Sequence, residues 1–490
     1  MPSIKILYCF LLVLWLEVAH VSSRALLRRT VSEYHERFRQ AAASRSAGLD
    51  GSDHAASVKR RVFYPGRYGA DPTGEEDSTH AITRAVHDAF SVQQGLNLLA
   101  GVNDLGGVVI DLQGGNYKIS NPIRLPSGNG NVVIHGGTLR ASLNFPTDGF
   151  LIELLSNSSL ARPLQSSSIQ PTNSVLTPPG YYYEDITFQD ILFDSSFRGG
   201  GILVVDSVRT RIDNCFFIHF TTQGLLVERG HETFISSSFL GQHLTAGGDP
   251  LERNFSGVAI DLASNDNAIT DVVIFSAATG IMLRGQANIL TGVHCYNKAT
   301  YWGGVGVYVK LPGLGQTRID NSYMDYTGIV LEDPVQVHIT NAFFLGDAYI
   351  TLKSVKGQIS GLNIVDNMFS GSGRGTPIVK LDGPFTTVDQ VVVDRNNVLA
   401  MKLKSTIGKR SVTANGTRWV VDFSSDLVFP NRINHLQYSF YVNGQCRFPS
   451  HKVTNVSSNV VVVEADREVQ GTVLVTVDQN TLPGEKCLFE

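Results

Sequence analysis

The sequence predicts a right-handed parallel β-helix, and three observations predict it. Between Glu184 and Val398 a degenerate phrase returns every twenty-odd residues. Each phrase opens on an aliphatic and a small polar residue, as in Ile212-Asp213-Asn214, Ile269-Thr270-Asp271, Ile319-Asp320-Asn321 and Ile339-Thr340-Asn341. An apolar pair follows (Phe216-Phe217, Val272-Val273, Phe343-Phe344), and the phrase closes on a glycine-led strand. Those strands begin at Gly201, Gly224, Gly257, Gly280, Gly306 and Gly328. Three short strands separated by turns, at that period and without helices, describe one coil of a β-helix. Alternation within each strand sends one side chain into a stacked interior and the next outward.

The turns agree. Asn214, Ser237, Asp271, Asn321 and Asn341 fall at the same point of successive phrases. Such residues tolerate left-handed backbone and bond neighbouring backbone at tight turns. Asp271 is therefore expected to shape a turn.

Composition is globular, with 42% hydrophobic and 17% charged residues and 47 glycines among 490. A formal net charge of -4 argues against nucleic acid or an anionic membrane as partner. Repeat architectures grow by adding coils, so length does not fix the domain count.

In chain order, Ile4 to Leu16 is an apolar run behind Lys5, followed by Ala19-His20-Val21-Ser22-Ser23. This reads as a secretory signal over 1–23, too short for a membrane span. The mature protein is expected to be secreted. Sequons at Asn157, Asn254, Asn415 and Asn455 fit glycosylation on that route. Cys215 and Cys295 lie in phrases three coils apart, which at ~4.8 Å per coil separates them by ~14 Å. A disulfide needs less than ~7 Å, so both are expected as buried free thiols. Cys446 and Cys487 are close enough in sequence to pair.

Residues 24–61 read as a mobile lead segment. Order is expected from Val62. Tyr68-Gly69-Ala70-Asp71 and then Asp77-Ser78-Thr79 read as a turn and a capped helix, with Asp77 or Ser78 as N-cap. Ala81, Ile82, Ala85, Val86 and Ala89 give that helix an apolar face suited to closing the open first coil. The coils then run to about Ala400, and 401–490 forms a small β-domain. There Trp419 to Phe423, Tyr438 to Val442 and Gly471 to Val477 alternate, and Val460 to Val463 suits a strand buried on both faces.

Tyr68-Gly69-Ala70-Asp71, Asp77-Ser78-Thr79, Gly106-Gly107-Val108-Val109-Ile110 and Gly115-Asn116-Tyr117-Lys118-Ile119 resemble the opening of the pectate-lyase-like superfamily. Over most of its length the chain is similar to the divergent plant quartet-type polygalacturonases, which separate pollen tetrads by removing pectin. That resemblance implies a β-helix, a pectic polysaccharide substrate and cleavage of α-1,4-galacturonan in the cell wall. The implied protein acts without a cofactor, as a monomer, away from membrane and nucleic acid.

Ordinary polygalacturonases carry Asn-Thr-Asp-Gly, Asp-Asp, Gly-His-Gly and Arg-Ile-Lys, with the Asps just before the glycine-led strand. Here those places hold Gly199-Gly200, Thr222-Gln223, Phe255-Ser256, Ala278-Thr279, Gly304-Val305 and Tyr326-Thr327. Thr317-Arg318-Ile319-Asp320 ends in the opposite charge. Thr147-Asp148-Gly149-Phe150 matches the first motif on an early coil, which makes Asp148 an end-of-cleft candidate.

The residues offer a column instead. The fourth residue after each strand's first reads Glu153, Val205, Glu228, Asp261, Arg284, Lys310, Glu332 and Lys353. Alternation points this position outward. Glu228 and Asp261 are the candidate acid and base, with Arg284 and Lys310 to hold uronate carboxylates. Tyr301 and Trp302, on the turn before Gly306, suit stacking on a sugar or covering an apolar flank. The same column also fits a solvated ladder of ion pairs, each worth little.

Long turns at 156–180 and 241–256, the second with His243, Asp249 and Glu252, are placed to wall a cleft. His294 beside Cys295 reads as structural.

Three functions fit. A glycosidase needs two carboxyl groups, one to donate a proton and one to activate water. A Ca²⁺-dependent pectate lyase would use Arg284 as base, with Glu228 and Asp261 on the metal. A pectin-binding wall protein needs only the basic residues.

Overall fold

Alternation decides which side chains hold the coils together. In the computed structural model, which describes residues 61–92, 97–160, 180–243, 256–296, 304–444 and 448–481, parallel strands stack into three faces that wind as a right-handed β-helix. Right-handed crossovers are the rule between parallel strands. The expected signal at 1–23 and almost all of the lead segment 24–61 lie outside the described residues. So do Tyr301, Trp302, Asn254, Asp249, Glu252, Cys446 and Cys487.

One coil shows the order. Arg211–Asp213 belongs to the first face, Phe216–Ile218 to the second and Gln223–His231 to the third, which is the glycine-led face. Ile202, Leu225, Ile260, Ile281, Val307, Ile329 and Ile350 are in register on the third face, and each is almost wholly buried. Ile212, Ile235, Ile269 and Leu290 form the matching stack on the first face, and Phe217, Leu240, Ile274 and Cys295 on the second. Each such side chain contributes about 1.5–3 kcal/mol by leaving water.

Glycine leads the third-face strands because neighbouring coils approach there. A Cβ on Gly201 would meet the Gly224 carbonyl oxygen at 2.4 Å, and one on Gly280 the Gly306 carbonyl oxygen at 2.5 Å. The turn between first and second faces is left-handed, as its residues required: Asn214, Ser237, Asp271, Asn321 and Asn341 have φ of 48°, 50°, 52°, 48° and 53°. Side-chain ladders form at this turn and at the one after the third face. Asn267 Nδ2 donates to Asn288 Oδ1 at 2.8 Å in the interior, and Asn367 Nδ2 to Asn396 Oδ1 at 3.0 Å.

Helix Thr79–Phe90 lies against the first coils and buries Ala81, Ile82, Ala85, Val86, Ala89 and Phe90. Ser78 is its N-cap by position, but its hydroxyl serves Asp71 instead. The Asp77 carboxylate takes the Thr79 N–H at 3.0 Å. At the other end, Ile407–Asp422, His435–Val442, His451–Ser457 and Val460–Asp478 form a four-stranded antiparallel sheet centred on the last of these. The strand His451–Ser457 left no sequence signal because it is an almost entirely exposed edge. Val428 and Phe429 join the β-helix core, and Thr406 N–H donates to the Val393 carbonyl at 2.8 Å.

Cys215 and Cys295 are buried and unbonded. Burial pushes both thiols up to about 12. A thiol reagent applied to native protein at pH 8 should therefore leave both unmodified, and denaturation should expose both. Peptide mapping reads the result, and a Cys215–Cys295 peptide would show that the coil register is wrong.

Candidate active site on the glycine-led face

The outward side chains of the third face form two columns, because residues two apart share a side. One runs Glu153, Leu203, Leu226, Asp261, Met282, Tyr308, Val330, Thr351, Lys380. The other includes Val205, Glu228 and Ala263, then Glu332, Lys353 and Asp382. Arg284 and Lys310 continue the second column between them, directly after the register pair Leu283–Val309.

Glu228 and Asp261 are thus on adjacent coils but not in one column, contrary to the sequence expectation. Gly257 is a turn residue with φ 69°, and Ala259 takes the place of Gly224 in the next coil. Counting from Gly257 therefore moves Asp261 two residues along the strand. The same offset places Glu153 opposite Leu203 rather than Val205.

Arg284 joins the two acids across the diagonal. Its Nε lies 2.8 Å from Asp261 Oδ1 and its Nη2 3.8 Å from Glu228 Oε1. These are not freely solvated groups: side-chain exposure is 7% for Asp261, 13% for Glu228 and 25% for Arg284. Beyond Glu228, Arg229 donates from Nε to Asp206 Oδ1 at 3.1 Å, and Asp206 is fully buried and also takes the Ser159 hydroxyl. Burial pushes the Glu228 carboxyl above its ordinary range, and Asp261 and Asp206 add to this, against the pull of Arg284 and Arg229. A carboxyl that holds its proton more tightly, beside one gripped by a guanidinium, is the division of labour that glycoside hydrolysis needs.

Lys310 is exposed and makes no ion pair among the described residues. Further along, Tyr308 Oη donates to Glu332 Oε1 at 2.6 Å, and Lys353 Nζ lies 3.0 Å from Tyr308 Oη and 3.1 Å from Glu332. Lys380 Nζ sits 3.4 Å from the centre of the Tyr349 ring. Tyr308 and Lys380 escaped the sequence reading because it followed only the fourth residue after the first of each strand. The second residue after the first faces the same way.

Asp148 is exposed in the turn before Phe150–Leu154, two coils from Glu228 and at the opposite end of the strand, so the structure does not bring it to the pair. His294 packs its ring 4.2 Å from Tyr323 on the second face. Asn157, Asn415 and Asn455 are all exposed.

The Glu228 environment has a consequence for stability. Unfolded, this carboxyl ionises in the ordinary range; folded, it ionises higher. Between those values the native state binds more protons, so stability falls as pH rises through the window. Glu228→Gln should remove that loss, giving a larger gain in thermal midpoint over the parent at pH 7 than at pH 4. Asp261→Asn removes the 2.8 Å carboxylate partner of Arg284 and should cost about 1–3 kcal/mol at pH 7 in chemical denaturation.

No protein-family model matches the chain. It is 56% identical over 424 residues to Polygalacturonase QRT3 of Arabidopsis thaliana, an overlap of 86% of this chain and 84% of that protein. Among solved structures, ORF18 of Geobacillus virus E2 shares the fold, with a TM-score of 0.54 at 13% identity over 84% of this chain and 77% of that one. An endo-xylogalacturonan hydrolase from Aspergillus tubingensis gives 0.44 at 11% identity, over 69% of this chain and 92% of that one. By the extent and identity of the first match, the chain belongs to the quartet-type polygalacturonases of the pectate-lyase-like superfamily.

Proposed function

We propose that this protein is a pectin-degrading glycoside hydrolase that cleaves α-1,4-galacturonan in the cell wall. The observation that carries the reading is the 56% identity to a polygalacturonase along most of both chains. The third face supplies the chemistry. Glu228, whose closed surroundings favour its protonated form, donates to the leaving glycosidic oxygen. Asp261, held by Arg284, activates the attacking water on the other side of the bond. Lys310, exposed beside Arg284, attracts the uronate carboxylates of the substrate. Secretion, glycans on Asn157, Asn254, Asn415 and Asn455, and action in pollen mother cell walls at tetrad separation complete the proposal. No helix among the described residues is long and apolar enough to cross a membrane.

Purified protein incubated with polygalacturonate, with and without a chelator, separates the three readings. New reducing ends without unsaturated uronates are expected. Unsaturated products that vanish with chelator would instead identify a lyase, and binding without products a wall-binding protein. Asp261→Asn and Glu228→Gln should each lower turnover at least ~10²-fold. Near-normal hydrolysis by both would return these residues to a structural ion-pair network.

A further inference from the structure

On the rim of the glycine-led face, where the second face turns toward the third, lies a group of side chains that the acid pair does not use. Asp194 ends one strand, and His219 follows Phe216–Ile218 on the next coil. His219 Nδ1 lies 2.8 Å from Asp194 Oδ1, which also takes the Ser196 N–H at 2.9 Å. Burial raises the Asp194 carboxyl, but these hydrogen bonds outweigh it and hold the group below its ordinary range. The Phe197 ring packs 4.6 Å from the His219 ring and 5.8 Å from that of His243.

Two features set Phe197 apart from a packing residue. It is 44% exposed although large and apolar. It also sits at φ 58°, directly after Ser196 at φ 49°. Left-handed backbone is costly for a bulky side chain and is kept where surrounding structure enforces it. The enforcement is visible: Phe197 N–H donates to the His219 carbonyl at 2.8 Å, Arg198 N–H to Ser195 at 2.7 Å, and Arg198 Nε to Phe145 at 2.7 Å. The turn thus tolerates backbone strain while holding an apolar ring in solvent. With Nδ1 committed to Asp194, His219 Nε2 has no hydrogen-bond partner among the described residues.

The geometry points to a saccharide subsite on this rim that takes one uronate unit of a galacturonan chain, with Phe197 against the pyranose face and His219 Nε2 on its polar edge. It rests on the pectin reading above. An aromatic ring offers apolar area to the C–H face of a sugar at little entropic cost. The imidazole nitrogen accepts from a hydroxyl when neutral and donates to a carboxylate when protonated. Asp194 is a positioning residue: it fixes the ring's orientation and tautomer.

The test is binding of a short oligogalacturonate by calorimetry to full-length protein in the Glu228→Gln background, so that ligand is not consumed. A neutral galactose oligomer of the same length is the control. Phe197→Gly and His219→Gln should each weaken the acidic oligomer about fivefold to tenfold. Because glycine accepts the left-handed backbone, Phe197→Gly should also keep or raise the thermal midpoint. Asp194→Asn should weaken binding less and shift the His219 ring ¹⁵N resonances toward a mixture of tautomers. Affinity is read on folded protein, so the comparison holds even for a variant with a lowered midpoint. Weaker binding supports the subsite and unchanged affinity overturns it. Equal affinity for the neutral oligomer overturns the uronate assignment, and no binding by the Glu228→Gln parent overturns the subsite. The product assay on wild type decides the hydrolase reading separately, so either can fail alone.

Discussion

Everything outward on this molecule is placed by what is stacked inward. Once Ile202, Leu225, Ile260, Ile281, Val307, Ile329 and Ile350 are aligned in the interior, the residues on either side of each have no choice of face. A one-residue slip would put an aliphatic stack into water, at about 1.5–3 kcal/mol per coil. Slips of two preserve the burial pattern, so the hydrophobic effect alone does not forbid them. The glycines supply the missing constraint, since Gly201, Gly224 and Gly280 each stand where a neighbouring coil's carbonyl leaves no space for a side chain.

That distinction explains which parts of the protein were legible in its sequence. The β-helix, its capping helix and its left-handed Asn and Asp turns follow from patterns repeated many times, so one irregular coil does not obscure them. The register of a single coil is not protected in this way. Gly257 imitates the glycine of its neighbours while serving a turn, and Ala259, small enough for the place, does the strand's work. The candidate acids therefore lie on the coils that the sequence indicates, but in two columns where it suggests one. Arg284 restores their association because its side chain is long enough to reach both. Asp194 and His219 carry no sequence signal for another reason. One ends a strand and the other follows one, 25 residues apart, and only the coil geometry makes that separation a contact.

Arg284 also weighs against treating the third face as an idle ladder of charges. A surface ladder would place each ion pair in water, where it gains little. Here the two carboxylates are largely withdrawn from solvent and share one guanidinium, while the next cation, Lys310, stays exposed. Beyond it Tyr308, Glu332 and Lys353 form a closed hydrogen-bonded set of their own. The face is thus divided into an acidic segment, an open cation and a self-satisfied tyrosine cluster, rather than alternating evenly.

The packing before the third-face strands excludes the ordinary polygalacturonase acids on one coil. Their positions, immediately ahead of those strands, are held in this chain by Gly199-Gly200 and Thr222-Gln223. A Cβ on Gly199 would meet the Gly149 carbonyl oxygen at 2.1 Å. One on Gly200 would meet the Gln223 carbonyl oxygen at 2.4 Å and the Phe150 ring at 2.5 Å. Gly199 is in addition at φ 71°, where a side chain is strained whatever the space. The coils are drawn together so closely at this edge that an aspartate at Gly199 or Gly200 would have to push the next or the previous coil away. Glu228 and Asp261 stand instead further along the third-face strands, in the outward columns, and Asp194 at the end of its strand on the rim.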